Sequence, residues 1–187
     1  MTDAPAIPAV AKQVIDEMVT FLAFGPVDAA NLRALAPVME TYQAAITDAF
    51  YETLAQYGPT AKLIEGRVDA LKRTHAKWFR DLFAGEYGDD YFAGRWRIGL
   101  AHVRIGLDPF WVEGVMSMIR TAAANALAKE LADPIEVAKR YASLCKLLDL
   151  DLLVINLSYQ EDRLQRLTDF TGLKRPLIEN IIRLPKK

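Results

Sequence analysis

No proline interrupts the chain between Pro59 and Pro109, and within that window apolar side chains recur at helical spacing. From Val68 to Phe83, the residues Val68, Leu71, His75, Trp78 and Leu82 fall three or four positions apart, the period of a helix with one buried face. From Phe110 to Leu131 the series Trp111, Val115, Met118, Ala122 repeats that step, behind Asp108 as cap and Pro109 as first-turn proline. Asp133 and Pro134 open a third long helix. Upstream, the pattern predicts a short helix from about Ala9 to Ala23 and another capped by Asp28 and running through Leu35. A longer helix starts at Pro37 and ends at Gln56, before Tyr57-Gly58-Pro59. Strict alternation bounded by Asn-Gly or Asp-Gly turns is missing, and β-branched residues never gather into runs. The expected fold class is all-α.

Composition narrows the function. The 187 residues, 52% hydrophobic and 25% charged, suit one folded domain with a real core. With 23 Lys and Arg against 24 Asp and Glu the net charge is −1, so nothing calls for a nucleic-acid or acidic-membrane partner. Cys145 is the only cysteine, which excludes an intramolecular disulfide and a zinc site of paired thiolates and points to a reducing cytoplasm. The opening MTDAPAIPAVAKQ has no basic patch ahead of an apolar run and does not read as a signal peptide. No stretch of about 18 uninterrupted apolar residues exists, so no transmembrane span is expected.

Between Leu144 and Leu157, ten of fourteen positions are apolar, so a helix there must be covered on most sides. A second copy of the same helix would cover it and make a symmetric dimer through the last two long helices; a central core helix in a monomer would serve as well. After Ser158 the sequence turns polar and reads as a solvated extension leaving the core. Residues from Thr171 to Lys187 form either a short terminal helix or a frayed tail.

Much chemistry is absent. His75 and His102 are the only histidines, and neither has a Glu-x-x-His or His-x-x-x-His companion, so a hydrolytic zinc site lacks ligands. There is no Gly-x-Ser-x-Gly elbow, Gly-x-Gly-x-x-Gly fingerprint or Walker loop. Asp89-Asp90 and the pair Asp149 and Asp151 read as solvated charge.

The stretch RWRIGLAHVRIGLDPFW, Arg95 to Trp111, holds the residue that needs explaining. His102 has Ile98 four positions before it and Ile105 three after, all on one helical stripe. Gly99 and Gly106 each cost about 1 kcal/mol of helix propensity relative to alanine, which makes sense where something bulky must approach the backbone. A neutral imidazole on an apolar wall is what iron in a porphyrin needs on its proximal side. A buried histidine bonded to a carbonyl would look the same in sequence.

The string Ile98-Gly99-x-x-His102-x-x-Ile105-Gly106-Leu107-x-Pro109-x-Trp111 resembles the signature of the globin-coupled sensors, the haem sensor globins of bacteria. So do Leu82-Phe83-Ala84-Gly85 followed by Asp89-Asp90 and Arg95, and Asp48-Ala49-Phe50-Tyr51 upstream. The resemblance runs from about Asp28 to Glu161. It implies a globin-like fold with an extra amino-terminal helix, a reduced region before the distal helix, and a homodimer formed through the last two globin helices. In that frame residues 1–165 are the sensor globin, 1–27 its amino-terminal extension, and 166–187 a carboxy-terminal extension or linker.

By resemblance, the cofactor is haem b, His102 is its proximal iron ligand, and Tyr51 is the distal tyrosine that donates to bound oxygen, with Phe50 beside it. A phenol in a dry pocket favours a ligand that gains negative charge by ~1–3 kcal/mol over neutral carbon monoxide. Leu71 and Thr74 match distal-helix pocket positions; Thr74 is either a second donor or bonded back to its own helix. His75 stands where the family has a variable residue and has three readings: facing solvent, touching a propionate, or becoming a sixth iron ligand. Trp111 and Met116 pack against the ring's lower face, Ile98 and Ile105 flank the ligand, and Trp78 and Trp96 are packing residues. Val112 stands where some members carry a tyrosine that reaches the proximal imidazole, so this position offers no hydroxyl for a signalling route.

The resemblance implies a cytoplasmic sensor, not an enzyme, that binds O2, CO or NO and signals through its dimeric helices to a downstream domain or protein. Two alternatives stand beside it: a haem-free globin-fold interaction module, and a haem globin with nitric oxide dioxygenase or peroxidase-type activity.

Overall fold

The computed structural model describes residues 6–184. Both ends of the chain, residues 1–5 and 185–187, lie outside the described residues, and with them the first part of the amino-terminal reading and the last of the tail. Among the described residues there are eight helices and no strand: α1 (Ala9–Phe21), α2 (Pro26–Gln56), α3 (Gly58–Ile64), α4 (Val68–Asp81), α5 (Asp89–Arg104), α6 (Pro109–Glu130), α7 (Pro134–Thr171) and α8 (Arg175–Arg183). The all-α expectation holds. Among the described residues no helix is long and apolar enough to cross a membrane.

The start of α4 falls where the apolar spacing puts it, and those of α6 and α7 fall where the cap and proline signals do. Asp133, ahead of Pro134, accepts a hydrogen bond from the Ile135 amide as a helix cap should. The region from Pro26 to Gln56 differs. The two expected helices are one, and Pro37 sits inside it. An internal proline costs about 3 kcal/mol, yet Leu32, Leu35 and Met39 on either side of it are fully buried, each gaining about 1.5–3 kcal/mol. Burial across two turns outweighs the break. Asp28 is the third residue of this helix; its carboxylate accepts from the Gly25 amide at 3.1 Å and from Ser143 Oγ at 2.7 Å, and pairs with Lys146 at 3.3 Å. The capping side chain thus also fastens α2 to α7.

Helix α7 is the central member, packed against α1, α2, α5, α6 and α8. Leu144, Leu147, Leu148, Leu150, Val154 and Ile155 are buried by the chain's own helices. Much of the apolar run is thus covered within one chain, while Leu152, Leu153 and Leu157 stay half-buried. From Gln160 to Arg166 the helix is exposed or half-buried, as the polar composition suggested, and the core runs one residue past Ser158. Ser158 and Tyr159 are both buried, and the Tyr159 hydroxyl donates to the Leu107 carbonyl at 2.7 Å. The helix continues through residue 165 to Thr171, and α8 folds back on it, burying Ile178 and pairing Arg175 with Glu161.

The buried stripe of α6 is rotated one residue from the expected one. Val112, Met116, Ile119, Ala123 and Leu127 face the core, while Trp111, Val115 and Ala122 are half-buried. Gly99 does admit something bulky to the backbone, but that something is α7. A side chain there would run into Ser158 Oγ and lie 2.9 Å from the Ile155 carbonyl oxygen, so its absence lets α5 and α7 touch.

The solvated reading of the acidic pairs is right for Asp89, Asp90 and Asp149 and wrong for Asp151. Asp89 and Asp90 are exposed at the start of α5, Asp89 pairing with Lys12 at 3.1 Å, and Asp149 is exposed beside Arg120. Asp151 is fully buried. It accepts from Tyr91 Oη at 2.7 Å, Arg95 Nε at 2.9 Å and Trp78 Nε1 at 3.0 Å. Burial pushes its carboxyl above the ordinary value against the pull of Arg95. This carboxylate joins α4, α5 and α7 at one point.

Candidate ligand pocket

Helical periodicity assembles the pocket. On α2, Phe50, Tyr51 and Leu54 fall on one face; on α4, Leu71, Thr74, His75 and Trp78 do the same; on α5, Ile98 and His102 are one turn apart. Leu107, four residues of α6 (Trp111, Val112, Val115, Met116) and Ile155 of α7 complete the wall. These faces enclose about 770 Å³ of space free of atoms, part of it open to solvent. Leu71, Ile98, Trp111 and Val115 are only half-buried because they border this space rather than another helix.

Helix α5 ends in a defined turn just past His102. The Leu107 amide donates to the His102 carbonyl and the Gly106 amide to the Val103 carbonyl, both at 3.0 Å, the paired bonds of a Schellman turn. Gly106 takes φ +73°, which a side chain would resist. The turn folds Leu107 back beside His102, and both line the pocket. Among the described residues nothing hydrogen-bonds to the buried Nδ1 of His102. Burial lowers its pKa to about 4, so the ring is neutral near pH 7.

Tyr51 and His75 line the same pocket. Burial pushes the Tyr51 phenol up to about 12, so it keeps its proton and can donate it to an incoming acceptor. His75 does not face solvent. Its ring centroid is 5.0 Å from that of Phe50, 5.2 Å from Trp78 and 6.1 Å from Tyr51, and Thr47 Oγ1 lies 2.9 Å from Nδ1. Its pKa is lowered to about 4 by burial, and among the described residues Nε2 has no hydrogen-bond partner.

The structure brings Phe50, Tyr51, Leu71, Thr74, His75, Ile98, His102, Trp111 and Met116 to one pocket and leaves Ile105 out. Ile105 is the residue at which α5 stops, 38% exposed. Its place on the His102 stripe ended with the helix. Thr74 Oγ1 bonds back to the Ala70 carbonyl at 3.2 Å, the second of its two readings. Trp78 packs, as expected, and also borders the pocket; Trp96 is buried away from it. Leu54, Leu107, Val112, Val115 and Ile155 were not foreseen as lining. Leu54 and Val115 continue the Tyr51 and Trp111 stripes and Leu107 follows from the Gly106 turn, whereas nothing local marks Ile155.

The residues suit a metal held inside a macrocycle. Among the described residues no group of three His, Cys, Asp or Glu could hold a metal ion, so a metal on His102 would need its other donors from the group that carries it. His102 offers a neutral imidazole with an unpaired buried nitrogen, on a wall that is otherwise mostly apolar. The only cysteine, Cys145, is not on that wall, so no thioether attachment is built.

An all-helical fold with a histidine and a tyrosine on the walls of one apolar pocket is globin-like. Comparison with known proteins identifies the kind of globin. The family model named Protoglobin matches residues 11–165. The heme-based aerotactic transducer HemAT of Halobacterium salinarum is 31% identical over 163 residues, covering 79% of this chain and 33% of that protein. The chain thus spans about a third of that relative's length. Among solved structures, the globin domain of the Geobacter sulfurreducens globin-coupled sensor superposes with a TM-score of 0.74 at 33% identity, covering 77% of this chain and 96% of that one. The chain belongs to the protoglobin family, and its resemblance to the globin-coupled sensors holds in both sequence and fold.

Proposed function

We propose that the chain is a haem-binding sensor globin that reversibly binds oxygen and other diatomic gases. The observation that carries this reading is that His102 and Tyr51, from α5 and α2, wall the same apolar pocket. His102 would hold the iron; Leu71, Ile98, Val115 and Met116 would pack on the macrocycle and keep water from it. When bound, haem supplies an iron centre that takes up diatomic gases. Haem b is the form proposed, since it needs no covalent attachment.

Tyr51 keeps its phenolic proton in a poorly solvated wall and presents it as a donor. A ligand with negative charge on its outer atom would be favoured over a neutral one by about 1–3 kcal/mol. Thr74, bonded to its own helix, is a weaker second candidate. Trp78 borders the pocket and bonds to Asp151, so a shift of α4 would be felt on α7. Pairing of two copies through α6 and α7, and transmission to a separate domain or protein, belong to the same proposal. Its output is signalling rather than catalysis.

Stopped-flow dissociation of oxygen and carbon monoxide from wild type and Tyr51→Phe tests the reading. The variant should keep haem and release oxygen ten-fold or more faster, with little change for carbon monoxide. Equal changes for both gases would remove Tyr51 from the ligand.

A further inference from the structure

A chain of hydrogen bonds runs along α2 and ends on His75. Gln43 and Thr47 are one turn apart, and Gln43 Nε2 donates to Thr47 Oγ1 at 2.8 Å. Thr47 Oγ1 is 2.9 Å from His75 Nδ1 and is itself buried. A threonine hydroxyl has one hydrogen to give, and the amide of Gln43 already occupies one of its acceptor positions. Were Nδ1 protonated too, both neighbours would point hydrogens at Oγ1. The threonine's own hydrogen would then have no acceptor, because among the described residues Oγ1 has only these two partners. When the hydroxyl gives its hydrogen to Nδ1, every group in the chain is satisfied.

The single proton of the neutral ring then sits on Nε2, the atom buried without a partner. Burial keeps the ring neutral, and the Phe50 and Trp78 rings, with centroids 5.0 and 5.2 Å away, restrict its rotation.

We propose that Gln43 and Thr47 are positioning residues that lock His75 in its Nε2–H form, so that it offers the pocket a neutral hydrogen-bond donor and no lone pair for a metal. The two histidines then have opposite duties. His102 has no such lock on Nδ1 and is free to ligate, while His75 stands with Tyr51 as a second donor to a polar ligand. That last role rests on the haem reading of the pocket; the lock itself does not.

Long-range proton–nitrogen NMR on histidine-labelled protein reads the tautomer directly, using the reduced, carbon monoxide-saturated form where haem is present and His75→Leu to assign the rings. Wild type and Thr47→Ser should show Nε2–H alone, and Thr47→Val, which keeps the shape and loses the hydroxyl, should lose the single form. An Nδ1–H ring in wild type would mean that the Gln43 amide is turned and Thr47 accepts, and would overturn the proposal. So would an unchanged tautomer in Thr47→Val, or a low-spin ferric absorption spectrum that His75→Leu abolishes. Colourless protein with a Thr47-dependent Nε2–H would uphold the lock and sink the haem reading instead.

Discussion

Trp78 Nε1 donates to Asp151 Oδ2 at 3.0 Å, joining the wall of the pocket to the central helix. The same carboxylate takes Tyr91 and Arg95 from the helix that carries His102, and the Arg95 guanidinium lies 3.9 Å from the centre of the Tyr91 ring. Removing one partner from such a cluster leaves a buried charge uncompensated. Asp151→Ala is therefore expected to lower unfolding stability by about 3–5 kcal/mol, read from urea denaturation. A loss below about 1 kcal/mol would mean that the cluster is not the junction described.

Gly99 sets how closely α5 approaches α7. A methyl group there would meet Ser158 and the Ile155 carbonyl together. Gly99→Ala should cost about 1–3 kcal/mol in the same assay. Adding Ser158→Ala should recover only part of it, because the carbonyl cannot rotate away as a side chain does.

These two positions also show what a sequence can carry. The helix starts at Pro109 and Pro134 were legible because caps and first-turn prolines act within a few residues. Pro37 misled because its local penalty is offset by Leu32, Leu35 and Met39 meeting elements far along the chain. Asp151 looked solvated because its partners lie 73, 60 and 56 residues away, beyond any periodic signal. Gly99 announced a close approach without saying to what. In the pocket, His102 and Tyr51 stood out through motifs and helical stripes, whereas Ile105 fell away because the stripe was extended past the end of its helix.

The pH dependence follows from His75. Its folded pKa of about 4 lies below the ordinary 6.5, so the unfolded chain takes up the proton first. Stability is intact above pH 6.5 and falls as pH drops toward 4, by up to about 3 kcal/mol for this group alone. His75→Leu should therefore flatten part of the decline between pH 6.5 and 4 in denaturation curves taken at each pH. An identical slope in the variant would show that His75 is not buried neutral.

The turn after α1 contains a correctable strain. Ala23 holds φ +46° where the chain closes a Schellman turn, with its amide bonded to the Thr20 carbonyl and that of Phe24 to Val19. Ala23→Gly should raise stability by about 0.5–1 kcal/mol. Gly106→Ala should do the reverse by about 1 kcal/mol and loosen the turn that sets Leu107 beside His102. Thermal melts of the two variants, moving in opposite directions, check both.

The central claim is that the His102 imidazole grips a haem iron, and a hemin titration followed by visible absorbance tests it most directly. Wild type should bind one equivalent, with an intense Soret band that shifts on reduction and again under carbon monoxide. His102→Ala should bind little, and His102→Gly should regain the band when free imidazole is added. A wild-type protein that gives only the spectrum of free hemin, or a His102→Ala variant indistinguishable from it, would contradict the account.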